Sequence, residues 1–289
     1  MRKILAAIAA LATVFASPAL TAHADIAQPL GSAAVPVGPA PNWLIADMDS
    51  GQVLAEQNGY AATPPASTIK VLLALVVLDE LNLDDTMVAT PADTQVECNC
   101  VGVKADHSYT ARQLLEGLLL VSGNDAANAL ADMLGGPEAA VAKMNAKAAA
   151  VGATDTHATT PSGLDGPGGP GASTPHDLAV IFRAAMAHPV FAEITAQPAA
   201  TFPTDSGERP IVNMNELLSR YPGAFGGKTG FTDAARKTYV GGASRDGRRL
   251  VVAMMYGLIR EGGPTYWDQA TALLDWGFAQ SPMSSIGSL

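Results

Sequence analysis

Positive charge is scarce in this chain. Seventeen Lys and Arg stand against 27 Asp and Glu, a formal net charge of −10 over 289 residues. Such a surface has little with which to hold a polyanion, so nucleic acid is excluded as a partner. Cysteine is scarcer still, with only Cys98 and Cys100. Two cysteines exclude a disulfide-dense scaffold and an all-cysteine zinc site. The five histidines have no ligand-like spacing, and neither G-x-S-x-G nor H-E-x-x-H occurs. That removes the nucleophile elbow and the helical zinc-protease site. "GPGGPG" (166–171) fits G-x-G-x-x-G, but it holds two prolines and follows no strand, so it is not a dinucleotide loop. No metal and no cofactor are expected. After residue 24 no apolar run is long enough to span a bilayer, so no stable transmembrane anchor is expected.

The first 24 residues read as a secretory signal. Arg2 and Lys3 precede the apolar "ILAAIAALATVFASPAL", and Ala22-His23-Ala24 fits an A-x-A cleavage site. The chain is therefore expected to cross the cytoplasmic membrane into a periplasm or cell-wall space. Losing Arg2 and Lys3 with the leader takes the formal charge from −10 to −12. In an exported protein Cys98 and Cys100 read as a tight local disulfide. The alternative, a metal site with His107, lacks the three or four ligands that zinc needs.

Residues 25–41 are rich in Pro, Gly and Ala and read as a flexible or extended lead-in. Strand-like runs at 43–48 and 52–56 flank "DSG", a hairpin signal. From 69 to 78 the chain is apolar on every helical face, the pattern of a buried helix. The middle is mostly helical: "TARQLLEGLLLVS" with Thr110 as cap, then two segments closed by glycine, then "STPHDLAVIFRAAMAH". The last third returns to strands at "GAFGGKTGFT", "RKTYVGGASRD" and "RRLVVAMMYGLI", and ends in an amphipathic helix. The expected fold is α+β: one antiparallel sheet of about five strands built from both chain ends, packed with helices. A helical subdomain, at about 83–205, is inserted in a single catalytic domain spanning 42–280. Residues 281–289 are a C-terminal tail.

Three elements could carry chemistry. Ser67 and Lys70, at i and i+3, stack on one face at the head of the buried helix. A serine hydroxyl needs a base to take its proton, and burial lowers a lysine pKa enough to make it one. Equally, Ser67 could simply cap the helix and Lys70 snorkel. Ser122 and Asn124, in "VSGND" between two helices, are either capping residues or a proton relay and a peptide-gripping amide. "GGKTG" (226–230) offers Lys228 and Thr229 on a strand whose glycines admit a close neighbour. It also fits a plain hairpin with a solvated lysine.

Together, in this order, the three elements match the S-x-x-K, S-x-N and K-T-G set of penicillin-binding proteins and class A β-lactamases. The chain resembles the serine D-alanyl-D-alanine carboxypeptidases, the low-molecular-mass penicillin-binding proteins, from about 42 to 280. Softer matches are "IADMDSGQVLAE", "TTPSGLDG" and "VNMNELL". The resemblance implies a helix-packed antiparallel sheet with the site between sheet and helical subdomain. It implies Ser67 as nucleophile on peptidoglycan stem peptides, Lys70 as base, Ser122 and Lys228 as proton relay, and Asn124 as peptide holder. Thr229, Gly230, Phe231, Thr232 and Arg260 would bind substrate, with Arg236 and Lys237 as rivals of Arg260 for its carboxylate. The backbone N–H groups of Ser67 and Phe231 would form the oxyanion hole. β-Lactams would be covalent inhibitors, and the protein would act as a monomer. The chain stops soon after "LLDWGF", where many relatives carry a second β-rich domain and an amphipathic anchor. Three rivals remain. A class A-like β-lactamase needs a glutamate between the second and third elements, yet 139–192 contains none. A DD-endopeptidase shares every motif. A non-catalytic peptidoglycan-binding protein would tolerate loss of motifs that are intact here.

Overall fold

The computed structural model describes residues 26–97, 99–166, 168–258 and 261–289. The leader, Cys98 and Arg260 lie outside the described residues. Cys100 is disulfide-bonded.

The chain opens with a hairpin, β1 (Asn42–Asp47) and β2 (Gln52–Gln57). Later come β7 (Ala224–Thr232), β8 (Arg236–Arg245) and β9 (Arg248–Gly257). They join one antiparallel sheet in the order β10-β2-β1-β9-β8-β7, where β10 is Gly287–Ser288. The expected union of both chain ends is thus formed by β1 against β9. The sixth strand comes from the residues read as a tail.

The sheet is covered on both faces, and the period-2 alternation of strands sorts its residues. In β1, Trp43 and Ile45 pack toward α9 (Tyr266–Ala279), with Leu273, Leu274 and Trp276. Leu44 and Ala46 face the other core, with Leu72 and Phe182. That second core is built on α1 (Lys70–Glu80), whose residues from Lys70 to Val77 are all buried. A 3₁₀ turn (Ala66–Ile69) leads into it.

Around α1 stand α3 (Ala111–Leu120), α4 (Asn124–Met133), α5 (Pro137–Val151) and α6 (Pro175–Met186). Their ends follow local chemistry. Thr110 and Gln113 form a reciprocal capping box on α3. Gly152 adopts the left-handed conformation that ends α5. Shorter elements between the motifs are β3 (Thr86–Val88), α2 (Pro91–Thr94), β4 (Ser108–Thr110), α7 (Pro189–Ala196) and α8 (Leu217–Arg220). A separate hairpin, β5 (Ala199–Thr204) with β6 (Gly207–Val212), adds strands where none is expected, and β5 falls inside the span expected to be a helical subdomain.

Residues 26–41 form no named strand or helix, but side chains pin them to α9. Gln269 accepts from Ala40 N–H at 2.8 Å and donates to its carbonyl at 3.0 Å, while Trp276 Nε1 donates to Ala33 O at 2.8 Å. Among the described residues no single helix is long and apolar enough to cross a membrane.

Candidate active site

The serine turn is set by its neighbours. Ala66 has φ +48°, a conformation that L residues seldom adopt. Its 3₁₀ turn is fastened to β8 through Pro65, whose carbonyl accepts from Thr68 Oγ1 at 2.6 Å and Thr238 Oγ1 at 2.8 Å. A strained turn persists when its surroundings over-determine it. Here they also fix where Ser67 Oγ points.

Lys70, fully buried, lies 2.6 Å from Ser67 Oγ, 2.7 Å from Asn124 Oδ1 and 2.7 Å from the carbonyl of Ser162. Burial holds the Lys70 amine well below the ordinary lysine range, and the charge of Lys228 pushes the same way against Asp125. A neutral amine has two N–H donors and one lone pair. Asn124 Oδ1 and Ser162 O can only accept, so they take the two hydrogens. In that neutral form the lone pair would face Ser67 Oγ, 2.6 Å away.

Ser122 occupies the turn between α3 and α4 with φ +61°. Its Oγ accepts from Lys228 Nζ at 2.8 Å, and Lys228 also donates to Thr229 O at 2.7 Å. Burial alone brings the Lys228 amine down to about 7. Asn124, at the head of α4, donates from Nδ2 to Glu97 O at 2.7 Å while its Oδ1 holds Lys70.

β7 is the terminal strand of the sheet, so among the described residues one of its edges carries no sheet partner. Gly230 is where it meets the serine turn. A Cβ there would lie 2.3 Å from Thr238 Oγ1, 2.9 Å from Ser67 N and 3.0 Å from Thr68 N. Only glycine allows this approach. Ser67, Ser122, Asn124, Thr229, Gly230 and Phe231 all line one cleft of about 410 Å³. Thr232 instead accepts from Ala235 N–H at 3.0 Å, closing the β7–β8 turn. Of the rivals to Arg260, Lys237 lines the cleft, its ammonium 4.9 Å above the Phe231 ring.

Two contributors escaped the sequence reading. Ser162 presents a backbone carbonyl, which no side-chain pattern can announce. Asp125 stands next to Asn124 in "VSGND". Its carboxylate accepts from the N–H groups of Val101, Gly102 and Val103 at 2.7–2.9 Å, anchoring the loop that bonds Asn124. Its one sequence signal is a carboxylate in the first turn of α4.

A family model described as D-alanyl-D-alanine carboxypeptidase, Peptidase S11, matches residues 32–257. The chain is 70% identical over 292 residues to the D-alanyl-D-alanine carboxypeptidase DacB2 of Mycobacterium tuberculosis, covering all of both chains. It is 33% identical to the D-alanyl-D-alanine carboxypeptidase of Streptomyces sp. (strain K15), over 93% of this chain and 98% of that one. Among solved structures, a D-alanyl-D-alanine carboxypeptidase from Mycobacterium tuberculosis H37Rv superposes with a TM-score of 0.90 at 73% identity, covering 91% of this chain and all of that one. The Streptomyces K15 DD-transpeptidase gives 0.78 at 29% identity, covering 86% and 100%.

Proposed function

The chain belongs to the Peptidase S11 family of serine D-alanyl-D-alanine carboxypeptidases, and from that membership we propose that it is exported and trims peptidoglycan stem peptides through an acyl-enzyme on Ser67. The observation that carries the reading is the buried Lys70 amine 2.6 Å from Ser67 Oγ, at the head of an open cleft.

Ser67 Oγ attacks the carbonyl of the penultimate D-Ala while Lys70 takes its proton. The N–H groups of Ser67 and Phe231 face the developing oxyanion, each worth about 3 kcal/mol at the transition state. Ser122 and Lys228, bonded at 2.8 Å, pass a proton to the departing D-Ala amine. Asn124 grips the peptide and Thr229 binds the terminal carboxylate. The free edge of β7 takes the stem peptide as an added strand. Water then releases the shortened stem. A β-lactam, whose ring amide imitates D-Ala-D-Ala, acylates the same serine. The carboxylate-binding cation is Arg260 or Lys237, and the position of Lys237 in the cleft favours it as a contributor.

Against a β-lactamase, the group that the 155–174 segment brings to Ser67 is a carbonyl, Ser162 O, at 3.4 Å from Oγ. A carbonyl cannot deprotonate a deacylating water. Intact mass after benzylpenicillin, with D-Ala release from a pentapeptide, tests the proposal. A lasting penicilloyl adduct and D-Ala release, both abolished in Ser67→Ala, are the expected results. Many-turnover hydrolysis of penicillin would return the β-lactamase reading. An unmodified, inactive protein would leave a binding role.

A further inference from the structure

Ser162 sits at the tip of a loop that leaves α5 and returns to α6. His157 and Ala172 close its base, N–H to carbonyl both ways, at 2.8 and 2.9 Å. From 158 to 165 the described residues make no backbone–backbone hydrogen bond. Side chains take over that role. Asn145 of α5 grips Ala158, donating to its carbonyl at 3.0 Å and accepting from its N–H at 2.7 Å. At the tip, Thr160 Oγ1 donates to Leu164 O at 2.9 Å and accepts from Gly163 N–H at 3.0 Å. A hydroxyl has one hydrogen and two lone pairs, so one group closes both bonds. Ser162 Oγ adds a longer bond from Leu164 N–H, at 3.3 Å.

The turn that Thr160 closes is pressed against the serine turn. Gly163 has φ +81°, and a Cβ on it would overlap the carbonyl of Ala66. The two turns therefore meet backbone on backbone, with no side chain between them. Ser162 is buried and points its carbonyl at Lys70 Nζ, 2.7 Å away. Thr160 itself does not line the cleft, so it can reach the chemistry only through Ser162.

The inference rests on the function proposed above, in which neutral Lys70 takes the Ser67 proton. A neutral amine has three positions for two hydrogens and a lone pair. Asn124 Oδ1 takes one hydrogen. The second hydrogen and the lone pair are then shared between Ser67 and the place where Ser162 O stands. A carbonyl there accepts the hydrogen, and the lone pair falls to Ser67. Without it, both arrangements are open.

We propose that Thr160 is a positioning residue for the base: its hydroxyl folds the 160–164 turn so that Ser162 O meets Lys70 and turns the lone pair of the amine toward Ser67. Asn145 holds the foot of the loop, and Thr160 sets its tip.

The test is the rate of acylation by benzylpenicillin against pH, read by intact mass, with melting temperatures alongside. Thr160→Val keeps the shape of the side chain and can close neither bond. Thr160→Ala removes the same hydroxyl and gives the same reading if the valine variant misfolds. Thr160→Ser keeps the hydroxyl. Thr110→Val removes the cap of α3, at the end of that helix away from Ser122, and controls for lost stability. Lys228 and Asp125, the charged groups that act on Lys70, are unchanged in all four. Losing a carbonyl acceptor costs a charged amine more than a neutral one. Thr160→Val and Thr160→Ala are therefore expected to acylate about tenfold or more slowly, with Thr160→Ser within about twofold of wild type. Their acid limb should move to lower pH, whereas Thr110→Val should melt earlier with its limb in place. A wild-type rate without the hydroxyl overturns the inference. So does a slower rate with the limb unmoved, which makes the hydroxyl structural only, and so does a Thr160→Ser as slow as Thr160→Val. Lys70→Ala separates the two readings. If it is acylated as fast as wild type, the base reading falls and the inference with it. If it is inert while Thr160→Val is unaffected, the inference alone falls. A wild type that is never acylated brings down both.

Discussion

Replacing Gly230 by alanine adds a single methyl, yet it should disable the enzyme. The new Cβ would sit 2.3 Å from Thr238 Oγ1, 2.9 Å from Ser67 N and 3.0 Å from Thr68 N. Two of these atoms are backbone of the serine turn and cannot rotate away. Ordinary contact begins near 3.4 Å, so β7 and the turn must separate by about 0.5–1 Å. A misplacement of about 1 Å at reacting groups costs about 100-fold in rate, or about 2.7 kcal/mol of activation free energy. Thr238 must also turn its hydroxyl away from Pro65 O, a bond worth about 1 kcal/mol. With overpacking, the loss of stability should reach about 1–3 kcal/mol. The protein stays folded, with its melting temperature lowered by a few degrees. The assay is the acylation rate by benzylpenicillin, read as intact mass against time, beside D-Ala release. Gly287→Ala is the control, because a Cβ there meets nothing within 4 Å and the residue sits in β10 at the opposite sheet edge. If Gly230→Ala acylates as fast as Gly287→Ala, the oxyanion site does not depend on the contact between β7 and the serine turn, and the reasoning fails.

Removing the base should be as severe. Lys70→Ala should slow acylation by about 10²–10⁴-fold, and Lys70→Arg should not rescue it, because a guanidinium keeps its proton; wild-type acylation in either variant refutes the base assignment. The pH profile of kcat/KM for D-Ala release follows from the two buried amines. Lys70 acts when neutral, so the rate rises as pH climbs through its lowered pKa. Lys228 acts when charged, so the rate falls as pH passes about 7. A profile flat across the neutral range contradicts this pairing. Asp125→Ala should leave three backbone N–H groups without their acceptor and cost about 2–4 kcal/mol, read by chemical denaturation. Asp125→Asn, which keeps one carbonyl oxygen, should lose less, and equal losses would mean that the loop finds other partners.

What the sequence made legible, and what it hid, divides along a physical line. Periodicity is written by burial, so α1, the β1–β2 hairpin and the β7–β8–β9 meander could be read from apolar spacing and turn residues. The sheet could be joined from both chain ends because only those ends alternate with period 2. The β5–β6 hairpin could not, since "ATFPTDSGERPIV" is mostly exposed and carries little apolar rhythm. β10 is two residues long and held by backbone pairing to β2, which side-chain identity does not encode. The site divides in the same way. Motif side chains are chemically distinctive, and Ser67, Lys70, Ser122, Asn124 and Lys228 stood out by type and order. The groups that hold them in place are mainly backbone: Ser162 O on Lys70, Pro65 O under Thr238, and the N–H groups of 101–103 on Asp125. Backbone atoms are common to every residue, so their roles surface only when the chain is folded. Gly230 belongs to both classes. It is visible as part of a motif, but the reason for it is the distance to Ser67 N, a contact between residues 163 positions apart in the chain. A motif glycine is thus a record of a long-range approach, and its methyl variant measures that approach directly.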